Sequence, residues 1–242
     1  MIAPEVFAFA SPVRVARAAA ETVVETLRAA LAARGQASLV LTGGSTPGPL
    51  YRLLAASYPD ALDWEHVHVF WGDERHVPHD HDDSNARFAR EALLDGLAVP
   101  DAQVYPVPTG GTPEADARAY EQTLRAYFGD EATPAFDLVL LGMGGDGHVA
   151  SLFPDSPSLG EAERWVVATE APPASPVRDR ISLTFPALGA TRTVLFLVTG
   201  AGKAEAVASV FSDPGRTPPA GRVGAQERLL WFLDDDAHGG TA

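Results

Sequence analysis

A histidine and an aspartate lie two residues apart in the glycine-rich segment Gly142–His148. An imidazole titrates near neutral pH, and a carboxylate beside it can fix which ring nitrogen is free to accept a proton. The backbone N–H groups of the small residues in this segment, Gly144 and Gly145 among them, can converge on an oxygen anion. The spacing therefore predicts acid–base chemistry at His148 and Asp146, next to an anion-binding loop. The alternative is that the two side chains only cap and pack the turn.

Two further glycine-rich turns have the composition of phosphate-binding loops. Gly43-Gly44-Ser45-Thr46-Pro47 joins a predicted strand to a predicted helix, where free N–H groups, the helix dipole and two hydroxyls favour a phosphate or a polyol. Gly200-Ala201-Gly202-Lys203 repeats this geometry with a cation, and lysine is scarce in this sequence. Both turns are therefore predicted to bind such a ligand. For the first turn, the alternative is that Ser45 or Thr46 serves only as a helix N-cap.

Three charged residues, Asp73-Glu74-Arg75, follow a predicted strand that ends in Trp71-Gly72. In an open parallel sheet, ligands bind at the carboxyl ends of the strands. The segment is therefore predicted to place Arg75 against an anion, with the carboxylates orienting it or binding sugar hydroxyls. A solvated ion-pair turn is the alternative.

Two other patterns suggest chemistry that their surroundings do not support. Gly142–Gly147 matches the dinucleotide-binding spacing G-x-G-x-x-G, but Pro154 and Pro157 interrupt the helix of ordinary length that such a site requires. The run His79–Asp83, and two histidines that alternate on one strand, lack a tight set of three or four metal ligands and are typical of solvated surface. We therefore predict neither a bound dinucleotide nor a bound metal.

The predicted elements place the glycine-rich loops at one edge of an α/β sheet. Apolar strand segments alternate with amphipathic helices, which is typical of a mainly parallel sheet between two helical layers, a three-layer sandwich. The predicted strands are Ser38–Thr42, His66–Trp71, Phe136–Leu141, Trp165–Thr169, Ile181–Thr184 and Thr193–Thr199. The predicted helices are Pro12–Arg34, a helix from Thr46-Pro47 through Leu54, Ser84–Leu97, and a helix from Thr112 to Phe128. We expect a single domain over residues 1–242, with a tail that frays from about residue 235.

Composition limits the classes of partner and compartment. The chain has 242 residues, of which 46% are hydrophobic and 21% charged, as in an ordinary globular protein with a substantial core. Its net charge of −14 gives the wrong field for a nucleic acid or an anionic membrane, so a bound anion needs local cations. The chain has no cysteine, which suits a reducing compartment and excludes thiolate chemistry. Neither a signal sequence nor a long apolar span is evident, so we expect a cytoplasmic protein.

Several segments, taken in order and with their spacing, resemble one enzyme family. They are Leu41–Pro47, Trp71–Pro78 followed by Ser84-Asn85, Gly142–Pro154, Arg180–Thr184 before Pro186, and the turn Gly200–Lys203. Over nearly the whole chain they resemble the glucosamine-6-phosphate isomerase/6-phosphogluconolactonase family, in its lactonase form. The resemblance implies the Rossmann-like fold that lactonases share with sugar-phosphate isomerases and deaminases. It also implies hydrolysis of 6-phosphoglucono-δ-lactone in the oxidative pentose phosphate pathway, without metal or organic cofactor.

Lactone hydrolysis needs a base for water, donors for the oxyanion and an anchor for the phosphate. On this resemblance, His148 is the expected general base, oriented by Asp146 or another carboxylate. Arg75, Arg180 and Lys203, with Ser45 and Thr46, are expected to bind the phosphate. N–H groups of Gly43, Gly44, Gly144 and Gly145 are expected to bind the oxyanion. Asn85 and Asp73 are expected to bind the sugar hydroxyls. The expected partner is a small sugar phosphate lactone, bound by a monomer or weak homo-oligomer.

Two alternatives remain on the same fold. The related deaminases carry Phe-Asn-Glu-Pro after the Gly-His-x-Ala segment, whereas this chain has Ser151-Leu152-Phe153-Pro154, which disfavours a deaminase or isomerase. A non-catalytic sugar-phosphate sensor needs an output module, and no DNA-binding segment is evident. The chain also departs from the lactonases by reading Arg222-Val223-Gly224-Ala225 where they often have Val-Arg-Pro, which leaves the role of Arg222 open.

Overall fold

Parallel strands form the central sheet of the protein. The computed structural model describes residues 2–129, 133–212 and 217–239. Within them the central strands are β1 (Glu5–Phe9), β2 (Ala37–Leu41), β3 (Val67–Trp71), β5 (Val104–Tyr105), β6 (Leu138–Leu141), β9 (Thr193–Val198) and β10 (Arg228–Asp234). Their order across the sheet is β1-β10-β9-β6-β2-β3-β5, and each neighbouring pair is parallel. The prediction of a mainly parallel sheet is confirmed.

The middle strands explain why the sheet is buried on both faces. β2, β6 and β9 are short apolar runs in which every residue is buried. Such strands belong to parallel sheets that helices cover on both sides. Buried apolar side chains from Val15 to Ala237 join in one hydrophobic core.

A second, smaller sheet was not predicted. It consists of β4 (Asp73–Arg75), β7 (Val166–Glu170) and β8 (Asp179–Leu183), in the antiparallel order β4-β8-β7. The strands predicted at 165–169 and 181–184 are present here, outside the parallel sheet. The predicted loop at 73–75 is a strand, because Asp73, Glu74 and Arg75 pair with Ser182, Ile181 and Arg180. The small sheet therefore stands directly on the carboxyl edge of the large one, with Gly72 between β3 and β4.

The helices at residues 12–34, 48–57 and 113–128 lie close to their predicted positions, whereas those at 185–189 and 235–238 were not predicted. They are α1 (Pro12–Arg34), α2 (Gly48–Ser57), α3 (Asn85–Ala92), α4 (Pro113–Phe128), α5 (Phe185–Gly189), α6 (Ala204–Ser212) and α7 (Asp235–His238). In α1, the Ser11 hydroxyl accepts the Arg14 N–H, and Gly35 ends the helix at a φ of +73°. The described helices include none long and apolar enough to cross a lipid bilayer.

Three predictions need correction. The helix predicted at Ser84–Leu97 ends at Ala92 and continues as a short 3₁₀ turn, and the predicted strands did not include β1, β5 or β10. The predicted fraying from residue 235 is wrong for residues 235–239. These form α7, whose Ala237 N–H donates to Asp234 Oδ1 over 2.8 Å and whose Ala237 side chain is buried. Residues 240–242 of the predicted tail lie outside the described residues.

Candidate active site

A cavity of about 300 Å³ opens at the carboxyl ends of β2, β3, β6 and β9. Its lining combines all the predicted glycine-rich loops and is made by Thr42, Gly43, Gly44, Ser45, Thr46, Asp73, Arg75, Asn85, Gly142, Met143, Gly144, His148, Ala150, Thr199 and Lys203. A neighbouring cavity of about 270 Å³ shares Asp73, Arg75, His148 and Ala150 with it. The further lining of the second cavity is Asp83, Ser151, Phe153, Ser175, Pro176, Val177 and Arg180. The predicted site residues are therefore brought together at the edge where ligands bind open α/β sheets.

His148 lines both cavities, and Asp146, which lines neither, is hydrogen-bonded to it. Nδ1 of His148 lies 2.6 Å from Oδ1 of Asp146, and the His148 backbone N–H donates to the same oxygen over 3.1 Å. The side-chain bond from His148, with the backbone bond, lowers the pKa of Asp146 to about 2, so this carboxyl is ionised at neutral pH. A carboxylate at Nδ1 holds the proton there and leaves Nε2 as the acceptor. The pair can therefore take a proton from a bound water.

Gly144 is required by this pair. A Cβ at Gly144 would lie 2.0 Å from His148 Nδ1 and 2.4 Å from Asp146 Oδ1, so any other residue would displace both side chains. The Gly144 N–H donates to the His148 carbonyl over 2.9 Å. This corrects the prediction that it faces an oxyanion, because the donor is already used within the turn. Gly145 is absent from the cavity wall and lies against the carbonyl of Gly202 instead.

The loop after β2 keeps its hydrogen-bond donors open. Among the described residues, no acceptor is bonded to the backbone N–H groups of residues 43–46. Pro47 precedes α2 and no side chain caps that helix, so the N-cap alternative for Ser45 and Thr46 is wrong. Gly44 has a φ of +90°, which favours glycine, and a Cβ at Gly43 would overlap the Asn85 amide at 1.9 Å. The loop can thus present N–H groups and two hydroxyls to an anion.

Asp73 and Asn85 line the cavity, whereas Glu74 lies behind it. The Asn85 side-chain amide donates to the Asp73 carbonyl over 2.9 Å. Glu74 is fully buried and accepts from the backbone N–H groups of Arg75, Asn85 and Ala86, at 2.7–2.8 Å. Burial raises the pKa of Glu74, and these N–H groups oppose the rise. Glu74 therefore orders the start of α3 and does not bind sugar hydroxyls.

Two arginines and a lysine supply positive charge around the cavities. Arg75 and Arg180 are direct cross-strand partners in the small sheet, and Arg75 also donates to the Asp83 carbonyl over 2.6 Å. Arg180 is only 7% exposed, and its Nη1 is buried without an acceptor in the described structure. Burial, followed by the charge of Arg75, lowers the pKa of Arg180. Two close guanidinium groups with an unused buried donor form a ready site for an anion.

Lys203 is the only lysine of the chain and lies on the wall of the larger cavity. It follows Gly200, whose φ is +94° and whose N–H donates to Asp234 Oδ1 over 2.9 Å. No carboxylate pairs with Lys203 anywhere in residues 2–129, 133–212 and 217–239. Thr199, which was not predicted as a site residue, lines the same cavity as Lys203. Its Oγ1 lies 3.4 Å from Thr46 Oγ1. Its position directly after a buried strand was the available signal.

Arg222 is directed away from both cavities. Its guanidinium lies 4.4 Å from the Phe185 ring centre and donates to the Leu159 carbonyl over 3.0 Å. The histidines set aside as metal ligands also have protein partners: His66 bonds Asp63, and His79 bonds the Val107 carbonyl. In the described part of the chain, no three His, Asp or Glu side chains converge as a metal site.

Comparison with known proteins identifies the family. The sequence profile described as "Glucosamine-6-phosphate isomerases/6-phosphogluconolactonase" matches residues 10–231. A 6-phosphogluconolactonase of Mycobacterium tuberculosis is 48% identical over 229 residues, 91% of each chain, and one of Synechocystis is 44% identical over 221 residues, 89% of each. The structure of 6-phosphogluconolactonase from Trypanosoma cruzi superimposes with a TM-score of 0.90 and 32% identity, covering 99% of this chain and 98% of that one. A monomeric glucosamine-6-phosphate deaminase, at 20% identity and a TM-score of 0.80, shares the fold. This chain therefore belongs to the family of glucosamine-6-phosphate isomerases and 6-phosphogluconolactonases.

Proposed function

We propose that this protein is an enzyme that hydrolyses 6-phospho-D-glucono-1,5-lactone to 6-phospho-D-gluconate in the oxidative pentose phosphate pathway. The observation that carries the proposal is His148, held by Asp146 at 2.6 Å, on the wall of a cavity that Arg75 and Lys203 also line. A base and an anion anchor in one cavity match a phosphorylated lactone. The lactonases at 44–48% identity over about nine-tenths of the chain support this substrate.

The phosphate is anchored by the cations and by the loop after β2. Arg75, Arg180 and Lys203 supply three positive charges, and the N–H groups and hydroxyls of Ser45 and Thr46 supply neutral donors. These local charges overcome the repulsion expected from a net charge of −14. Binding energy from the phosphate aligns the lactone carbonyl with the base.

The reaction follows from the arrangement of His148 and Asp146, in which Nε2 of His148 is free to accept a proton. Nε2 of His148 takes a proton from water as the water oxygen attacks C1 of the lactone. The carbonyl oxygen becomes an oxyanion, which the open N–H groups of Gly43 and Gly44 can stabilise; the Gly144 N–H is engaged with the His148 carbonyl. The bond between C1 and the ring oxygen then breaks, and His148 returns its proton to that oxygen. The product acid ionises, so one proton is released for each lactone opened.

Asp73 and Asn85 are assigned to the sugar hydroxyls. Both line the larger cavity, and the mutual bond between the Asn85 amide and the Asp73 carbonyl fixes their relative position. No proposed step uses a metal or an organic cofactor, so activity is expected to be unchanged after treatment with EDTA. We further propose a single-domain protein that acts in the cytoplasm as a monomer or weak homo-oligomer, with no nucleic-acid or membrane partner. Sedimentation of the purified chain tests the oligomeric state.

The test couples glucose-6-phosphate dehydrogenase to fresh lactone and follows acid release against the spontaneous background. The wild-type chain is expected to accelerate release, and His148→Ala to lower kcat by about 10²–10⁴-fold, the usual contribution of a general base. His66→Ala is the matched control, because His66 pairs with Asp63 at 2.8 Å on the exposed surface away from the cavity.

Each outcome separates the possibilities. Acceleration that His148→Ala preserves would retain the reaction and reject the base. No acceleration by a folded wild-type chain would reject the lactonase. Ammonia release from glucosamine 6-phosphate would then indicate a deaminase.

A further inference from the structure

A buried serine connects the turn that carries His148 to the carboxylate of Asp73. The Ser151 hydroxyl donates to Asp73 Oδ2 over 2.7 Å, and Ser151 is only 1% exposed. In this bond the hydroxyl is the donor and the Asp73 oxygen is the acceptor. Charge-assisted bonds of this length are among the stronger ones in proteins.

A hydrogen bond to a residue of the small sheet holds the backbone of Ser151 in place. Its N–H donates to the Ser182 hydroxyl over 3.2 Å, and that hydroxyl donates to the Leu183 carbonyl over 2.9 Å. Ser182 is also the cross-strand partner of Asp73 in the pairing of β4 with β8. Three segments of the chain therefore meet at one bond between Ser151 and Asp73.

The turn leaves Ser151 little freedom. The Leu152 N–H donates to the Val149 carbonyl over 2.8 Å, and Ala150 between them has a φ of +48°, which non-glycine residues seldom adopt. Ser151 thus lies inside a tight turn that runs from Val149 to Leu152, and His148 directly precedes that turn.

The two carboxylate oxygens of Asp73 differ in their hydrogen bonds within the described residues. Its carbonyl accepts from Asn85 and its Oδ2 from Ser151, whereas Oδ1 has no donor within the described ranges. Asp73 is 8% exposed and lines both cavities. A carboxylate held at one oxygen has a fixed orientation, so the second oxygen has a defined place in the site.

We propose that Ser151 is a positioning residue, which orients Asp73 so that Oδ1 meets a hydroxyl of the substrate. The inference rests on the proposed function. In this proposal Ser151 makes no contact with the substrate. It acts through Asp73 and holds that carboxylate in a fixed position relative to His148.

The experiment is a double-mutant cycle of Ser151→Ala and Asp73→Asn, read as kcat/KM for the lactone. Ser151→Ala is expected to lower kcat/KM about tenfold in the wild-type background, the usual effect of one bond to a charged group. It is expected to change nothing further in the Asp73→Asn background, since the group it orients is then absent. Ser151→Thr, which keeps the hydroxyl, is expected to recover part of the loss.

Ser38→Ala is the matched control. Ser38 is also 1% exposed and donates to a buried carboxylate, Asp137 Oδ2, but at the opposite edge of the sheet. It is expected to lower the melting temperature and to leave kcat/KM unchanged below the transition. Unchanged kcat/KM in Ser151→Ala, or equal losses in both backgrounds, would overturn the positioning role. A folded wild-type chain that opens no lactone would instead overturn the proposed function, and the inference with it.

Discussion

The two edges of the central sheet carry similar groups and use them differently. At the amino edge, Asp137 accepts from the Ser38 N–H over 2.8 Å and from the Ser38 hydroxyl over 3.1 Å, pairs with Arg34, and lies 3.6 Å from Arg192. At the carboxyl edge, Oδ1 of Asp73 has no donor among the described residues. Each edge also has a buried guanidinium nitrogen without an acceptor in the described structure, Nη1 of Arg180 and Nε of Arg192. Composition alone does not separate these clusters. The difference lies in the carboxylates: the protein supplies donors to both oxygens of Asp137 and to one oxygen of Asp73.

The two edges of the sheet differ in whether a buried charged group stabilises the fold or is available to a ligand. A buried charge whose partners are all present supports the folded state, whereas one that lacks a partner costs free energy until a ligand arrives. Removing a partner at the two edges should therefore have opposite consequences for stability and for activity.

The largest stability effect is expected at the amino edge. Asp137→Ala removes the acceptor of the buried Ser38 N–H and the partner of Arg34, and should lower the free energy of unfolding by about 3 kcal/mol. Below the transition, kcat/KM should equal that of the wild type. Urea unfolding and the lactone assay measure the two quantities, and Asp137→Asn, which keeps an acceptor, should lose less. A fall in kcat/KM would show that the two edges are coupled.

At the carboxyl edge, Arg180→Met should raise KM about tenfold, because one charge-assisted contact to the phosphate is lost. Its free energy of unfolding should be unchanged or higher, since the side chain is buried with an unsatisfied donor. Arg178→Met is the control: Arg178 is half exposed and pairs with Glu170 outside the two site cavities. Strong destabilisation by Arg180→Met with unchanged KM would make the two edges alike.

The smallest effect concerns the half-exposed pair of Asp146 and His148. The pKa of Asp146 is lowered from an ordinary value of 3.8 to about 2, so its ionised form contributes stability above pH 3.8 that is lost as the pH falls towards 2. Because the pair is open to solvent, the contribution should be below about 1 kcal/mol. Acid unfolding of wild type and Asp146→Asn should therefore converge over this range. Curves that diverge towards pH 2 would contradict the stated sign.

Local patterns in the sequence were sufficient for much of the fold. The buried strands β2, β6 and β9 were recognisable as uninterrupted apolar runs, and α1 by its spacing and its end at Gly35. The exposed edge strand β1 and the two-residue β5 carry too little pattern to detect. The charged strand β4 was interpreted as a loop, because its strand conformation comes from pairing with β8 and not from apolar residues.

In the site too, some features follow from the sequence alone and others only from the tertiary structure. Asp146 and His148 are two residues apart, so a short turn brings them together, and the sequence by itself determined this pair. Only the structure showed that Gly144 is needed there, because a Cβ would overlap both side chains. Only the tertiary structure decided that Arg75 faces Arg180, and that Ser151 reaches Asp73 across 78 residues of chain. It also decided that Glu74 turns inward and that Arg222 lies against Phe185. The physical reason is that contacts between distant segments depend on packing and, in the small sheet, on strand register, where a shift of one residue would turn Asp73, Arg75 and Arg180 to the other face.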